Sequence, residues 1–318
     1  MKALVVNCSP GYNLGANKLA DYLRGQGYAV DFVTGDPGMF AYGYDLVCLS
    51  VIFSWHANTA RDIALRVKGN SDVWCGGPGM FALANWWKKE TELDCTTGLD
   101  MRFEKQIGAY KMTFASRGCP VGCWFCIVPK LEGTDFTLYR DFQPAPFLCD
   151  NNLSALPVEF QEHIIRRYQE TGTKLLDANS GFEPRTFDEG TYHRWKPIMR
   201  GPWRFALDTT SEMDDVRRMM QILKTEPASK KRVYVLIGNE PIDACYERVM
   251  KVIEWGGEPH CQPVIKLNAL EKKPMIKHDW TEQKLYDMAR WANRWLWRSI
   301  PLHEYKPRKD EPVLFPQG

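Results

Sequence analysis

Three cysteines, Cys119, Cys123 and Cys126, stand within eight residues of one another in the segment SRGCPVGCWFCIVPKLEG, residues 116–133. Thiolates are strong ligands for zinc and iron. A structural zinc ion takes four ligands, and no fourth cysteine or histidine stands at close spacing to complete a tetrahedron. Three ligands on a C-x3-C-x2-C spacing instead suit a cluster in which one iron stays open. Such an iron can be chelated by the amine and carboxylate of a cosubstrate, which can then accept an electron. Pro120 and Gly122 let the loop turn tightly enough for backbone amides to point at the sulfurs. Phe125, just before the third cysteine, can pack on the adenine of a nucleoside.

A loop of this kind needs regular elements to hold it. Residues 2–8, 28–33, 45–52 and 72–75 are short runs rich in Val and aromatic residues, as in strands buried on both faces of a parallel sheet. Helical spacing fills 17–25 and 59–69, each ending near glycine. This alternation predicts a doubly wound, Rossmann-like domain over residues 1–105. The pattern restarts with strands at 112–116, 145–149, 173–178, 204–208, 232–237 and 262–267, and with helices at 157–171, 211–224 and 241–255. Six such units predict a partial (β/α)6 TIM-type barrel over 106–275. A closing helix is expected at 281–298 and an extended tail at 306–318, together forming the segment 276–318.

The C-x3-C-x2-C spacing, with an aromatic before the last cysteine and placed after the first strand of a six-unit barrel, resembles the radical S-adenosylmethionine (radical SAM) superfamily over roughly residues 111–270. The resemblance implies a 4Fe-4S cluster on Cys119, Cys123 and Cys126 that reductively cleaves S-adenosyl-L-methionine to a 5'-deoxyadenosyl radical for hydrogen abstraction. It also implies an electron donor such as a flavodoxin or ferredoxin, and a site lined by loops after the later strands. The family's Gly-Gly-Glu after the second strand is absent. In its place the resemblance nominates Asp150 and Asn151 for the amino end of the cosubstrate, Arg185 for its carboxylate, and Asp208 for a ribose hydroxyl or the substrate; Gly238 lies in the loop after the fifth strand. Catalytic candidates are Asp208 and Cys149, the latter as a hydrogen donor. Each has a plainer use as well: an Asp as a helix cap, Arg185 in a surface ion pair, Cys149 as a small buried hydrophobe.

An N-terminal α/β domain joined to such a barrel resembles the cobalamin-binding group of the same superfamily. Ser50-Val51-Ile52 and Gly76-Gly77-Pro78 are similar to that group's Ser-x-Leu and Gly-Gly elements, where small residues would admit a nucleotide tail or corrin edge. The group's Asp-x-His-x-x-Gly is absent, since the loop after the first strand reads SPGYNLG. His56 reads as a loop residue packing on Trp55 or capping a helix. The expectation is a scaffold domain, favoured over one loaded with cobalamin.

The 41 Lys and Arg against 39 Asp and Glu give no prior for wholesale nucleic-acid or membrane binding. No apolar run approaches the roughly 20 residues of a membrane helix, and the cysteine usage suits a reducing compartment, so a cytoplasmic enzyme is expected. The seven other cysteines form no second C-x2-C pair, which argues against an auxiliary cluster. The tract CIVPKLEG is similar to the cluster loop of the tRNA methylthiotransferases, whose flanking domains have no counterpart here. Arg290, Trp291, Arg294, Trp295, Trp297 and Arg298 interleave bases and aromatics, which suits either nucleic-acid stacking or burial with cation–π contacts. Two rivals therefore stand beside the leading reading: a cobalamin-dependent radical SAM methyltransferase, and a zinc-stabilised nucleic-acid-binding protein. The substrate classes left open are a modified nucleobase, a peptide and a small metabolite.

Overall fold

The computed structural model describes residues 1–104 and 106–306; the expected tail lies outside them from residue 307 onward. The first sheet is parallel, in the order β2-β1-β3-β4. Its strands are β1 (Lys2–Asn7), β2 (Ala29–Thr34), β3 (Leu46–Ser50) and β4 (Asp72–Gly76). The central strands are apolar between their ends, ALVV in β1 and LVCL in β3, because helices cover both faces. Ala3 and Val5 meet Leu19 and Leu23 of α1 (Leu14–Gly25), whereas Leu4 and Val6 meet Ile63 and Val67 of α2 (Ala57–Val67) and Trp87 of α3 (Ala84–Thr91). Helix α1 starts earlier than its apolar pattern suggests. Asn13 caps it, with Oδ1 accepting the Ala16 N–H at 3.0 Å. Helix α3 and a short α4 (Met101–Glu104) escaped the sequence reading.

The second half begins with β5 (Met112–Thr113), then an antiparallel ribbon of β6 (Ser116–Arg117) with β7 (Thr137–Leu138), and within the ribbon's loop a single turn, α5 (Val128–Leu131). Next come β8 (Phe147–Leu148), α6 (Val158–Thr171), β9 (Asp177–Ala178), α7 (Glu189–Trp195), β10 (Trp203–Leu207), α8 (Met213–Ile222), β11 (Lys231–Ile237), α9 (Ile242–Glu254), β12 (Glu258–Pro263) and α10 (Glu282–Asn293). The parallel sheets run β5-β8-β9 and β10-β11-β12. One apolar core joins them: Leu148 and Ala178 from the first and Phe205, Val233 and Cys261 from the second pack with Ile164, Val216, Val249 and Met288 of the helices. The chain is thus an α/β protein with parallel sheets. Among the described residues, no helix is long and apolar enough to cross a membrane.

Two expectations need correction. The last strand lies at Glu258–Pro263, not 262–267. The apolar Val264-Ile265 drew the reading forward, but the polar segment EPHCQP makes the backbone ladder to β11. After it, residues 264–280 run as a strap without regular structure over the ends of the strands. The closing helix also stops at Asn293, where the side chain accepts from the Cys261 N–H (2.7 Å) and donates to its carbonyl (3.0 Å). Trp295 then takes a left-handed conformation that no helix continues through.

The first sheet depends on backbone packing at Gly77, whose φ is 107° and where a Cβ would sit 2.4 Å from the Val51 carbonyl oxygen. We expect Gly77→Ala to cost more than about 2 kcal/mol. Gly69→Ala, at a site with nothing within 4 Å, should cost far less. Urea unfolding midpoints of the two variants check this.

Candidate metal centre

The cysteine loop leaves β6 and returns to β7, and its neck is closed by polar contacts. The Cys119 N–H donates to the Gly133 carbonyl at 3.2 Å. Gly118 has φ 91°, and a Cβ there would lie 2.1 Å from the Asp135 carbonyl oxygen, so glycine alone permits the two arms to close. Glu132 accepts from the Gly118 N–H (3.0 Å) and Asn151 Nδ2 (2.6 Å) on one oxygen and from Arg117 Nη1 (3.1 Å) on the other. Arg117 Nε also donates to Glu104 (2.9 Å), whose carbonyl accepts from Lys18 Nζ (2.5 Å) of α1. Burial works against the Arg117 charge, but Glu104 and Glu132 outweigh it and hold its pKa above the ordinary value. A chain of paired charges thus runs from the first α/β unit to the neck.

All three cysteines are free thiols and half-buried. The Val128 N–H donates to Cys126 Sγ at 3.4 Å, and Asn152 Nδ2 to Cys119 Sγ at 3.8 Å. Burial, then the nearby Asp208 carboxylate, pushes the Cys123 thiol up to about 12, and burial also raises Cys126. Among the described residues, no group of three or more His, Cys, Asp or Glu is arranged to hold a metal ion. The donor chemistry itself fits iron–sulfur ligation: unpaired thiols share one pinned loop, with N–H donors already directed at two sulfurs. The raised pKa values of Cys123 and Cys126 mean that ligation there must expel protons.

The other nominated residues fall into two sets. Asp150 is fully buried, with one oxygen taken by the Ala115 N–H (2.8 Å) and the other by the Ser116 hydroxyl (2.5 Å). Asn151 donates to Gly118 and Glu132. Both therefore grip the neck. Arg185 and Asp208, by contrast, lie close enough for Cys123 to feel their charge. Arg185 Nε is held by Glu183 at 2.6 Å. Asp208 is pushed up to about 7, by burial first and then by Glu212, with Arg248 opposing. Cys149 is buried and pushed up to about 12 by burial, with Asp150 adding to the rise. Gly238 makes a turn at φ 90° against Leu285. Phe125 packs edge-on against Trp124, which is 52% exposed.

Arg248 of α9 escaped the sequence reading. It is fully buried, donating to the Leu207 (2.6 Å) and Leu236 (2.9 Å) carbonyls and pairing with Glu240 (3.1 Å), so it ties together the ends of β10 and β11 beside Asp208. Its signal was a lone charge on the helix face formed by Cys245, Val249 and Val252. In the α10 region, Trp291 is core and donates to the Ile300 carbonyl, while Arg298 pairs with Glu258. Of the proposed stacking array, Trp291 is thereby committed to packing and the half-exposed Arg298 to an ion pair.

The glycines expected to admit a corrin or nucleotide are filled by the chain itself. A Cβ on Gly76 would lie 3.1 Å from the Thr96 Cβ, and Gly77 abuts Val51. Ser9 Oγ accepts from the Ile52 N–H (3.1 Å) and pairs with His56 Nδ1 (2.9 Å). Burial, then Lys272, lowers the His56 pKa. The strap adds Leu270 against this core and the Lys272 ammonium 5.8 Å from the centre of the Trp55 ring. These residues do not fit cobalamin. A cavity of about 420 Å³ lined by Lys18, Glu104, Tyr110, Phe114 and Tyr139 includes none of the cysteines.

Asp150 makes a pH prediction. Burial raises its carboxyl to about 6, against an unfolded value near 3.8. Between these values the folded chain holds a proton that the unfolded chain lacks. Stability from this group is therefore present below about pH 4 and lost as pH rises through 6, on the order of 3 kcal/mol. Asp150→Asn can still accept from Ala115 and should flatten that slope, as seen by comparing denaturation midpoints of the two proteins from pH 4 to 7.

No protein-family model and no curated protein matches the chain, so its function is argued from the geometry above.

Proposed function

We propose that the chain is a radical SAM enzyme in which Cys119, Cys123 and Cys126 hold a 4Fe-4S cluster. The observation that carries this reading is the pinned loop of three free thiols with N–H donors at two sulfurs, beside Asp208 and Arg185. A bound cluster would supply the electron that cleaves S-adenosylmethionine to methionine and a 5'-deoxyadenosyl radical.

We read the two three-stranded sheets as one curved partial (β/α)6 barrel. The parallel bridge between Leu175 and Met199 supports this, as does the bond from the Phe182 N–H to the Arg204 carbonyl (2.9 Å). The Asp177–Arg204 ion pair spans the same seam between β9 and β10.

The chain's own residues then orient and shield. Arg185, held by Glu183 through Nε, keeps its terminal nitrogens for a carboxylate of the cosubstrate. Asp208, poised near neutrality, can accept from a hydroxyl when ionised or donate when protonated. Cys149 retains its S–H at neutral pH, as a hydrogen donor must. Phe125 packs edge-on against Trp124, and the exposed Trp124 is where an electron carrier of the flavodoxin or ferredoxin kind would approach.

Anaerobic reconstitution should give about four irons per chain with matching labile sulfide. Reduction with S-adenosylmethionine present should yield 5'-deoxyadenosine, and Cys126→Ala should lose both signals. One zinc without sulfide would overturn the reading.

A further inference from the structure

The loop after β8 sends three consecutive polar side chains to the segment that carries the first cysteine. Asp150 takes the Ala115 N–H and the Ser116 hydroxyl, and Asn151 reaches the Gly118 carbonyl and Glu132. Asn152 goes one residue further, to the Cys119 sulfur. It is 3% exposed, and its Oδ1 accepts the Ala155 N–H at 3.1 Å. That bond fixes which end of the amide is oxygen, so the end facing Cys119 is the N–H donor, 3.8 Å from Sγ.

We propose that Asn152 is a positioning residue that donates its side-chain N–H to the Cys119 sulfur and thereby raises the reduction potential of the cluster. This deepens the radical SAM reading of the loop and rests on it. On reduction one electron passes from a low-potential carrier to the cluster, taking it from the 2+ to the 1+ state, and no bond forms or breaks. The added negative charge spreads onto the ligand sulfurs. A donor there stabilises the reduced state more than the oxidised one. Val128 serves Cys126 in the same way from the backbone, beyond the reach of a side-chain substitution. Asn152 is the donor that mutation can remove.

The test uses full-length wild type, Asn152→Leu and Asn152→Asp, reconstituted anaerobically and titrated with dithionite in the presence of mediators, with the electron paramagnetic resonance of the reduced cluster as readout. Aspartate keeps an acceptor for Ala155 but has no N–H; leucine is uncharged and offers neither. Both variants should be about tenfold harder to reduce, a shift of about 59 mV to lower potential. Thermal melting before reconstitution should fall for both variants, leucine leaving the Ala155 N–H unpaired and aspartate burying a charge, so a loss of stability does not distinguish them and the potential is the deciding readout. A potential shift in aspartate alone would report added charge, and one in leucine alone lost packing; either result, or no shift in both, overturns the proposal. Wild type that takes up no iron and sulfide overturns the reading of the loop itself, and this inference with it.

Discussion

The guanidinium of Arg117 is the constraint on which the site is built. It lies between Glu104 and Glu132, which reach it from before and after it in sequence, and a buried charge without partners costs several kcal/mol. Satisfying it fixes Glu132, and Glu132 in turn holds the Gly118 N–H and Asn151. The two arms of the cysteine loop and the loop after β8 are therefore set by one electrostatic requirement, reinforced by the close approach at Gly118. Lys18 extends the same requirement to the first helix of the chain.

Much of the architecture was legible because it follows from burial on two faces. The runs ALVV and LVCL can only be central parallel strands, and the structure places them so. The short strands β5, β8 and β9 lie within the expected ranges 112–116, 145–149 and 173–178, at the start, middle and end of them respectively. The ranges were drawn too long because flanking residues such as Phe114 and Leu175 are apolar without joining the β5-β8-β9 ladder. The displaced last strand shows the opposite error. EPHCQP has no apolar run, and its place in the sheet follows from pairing to β11 that no local pattern announces.

The cysteines stood out by their spacing together with their place after a strand, whereas the contacts that hold their loop were not legible. Asp150 and Asn151 stood out by position, at a strand end where a polar group suits a ligand, and both are used by the chain itself. Arg248 and Glu132 were passed over because a charged residue in a helix or loop normally faces water. Arg248 is held by backbone carbonyls at the ends of β10 and β11, and Glu132 by the Gly118 N–H and the Arg117 and Asn151 side chains, contacts that exist only once the fold has formed.

The high pKa of Cys123 has a consequence for the reactivity of its sulfur. With its pKa pushed up to about 12, Cys123 holds its proton at neutral pH. Thiolate, not thiol, is what peroxide and disulfides attack. The burial and negative charge around Cys123 therefore keep this sulfur a chemically quiet thiol, protected from oxidation by its surroundings and without need of a disulfide partner.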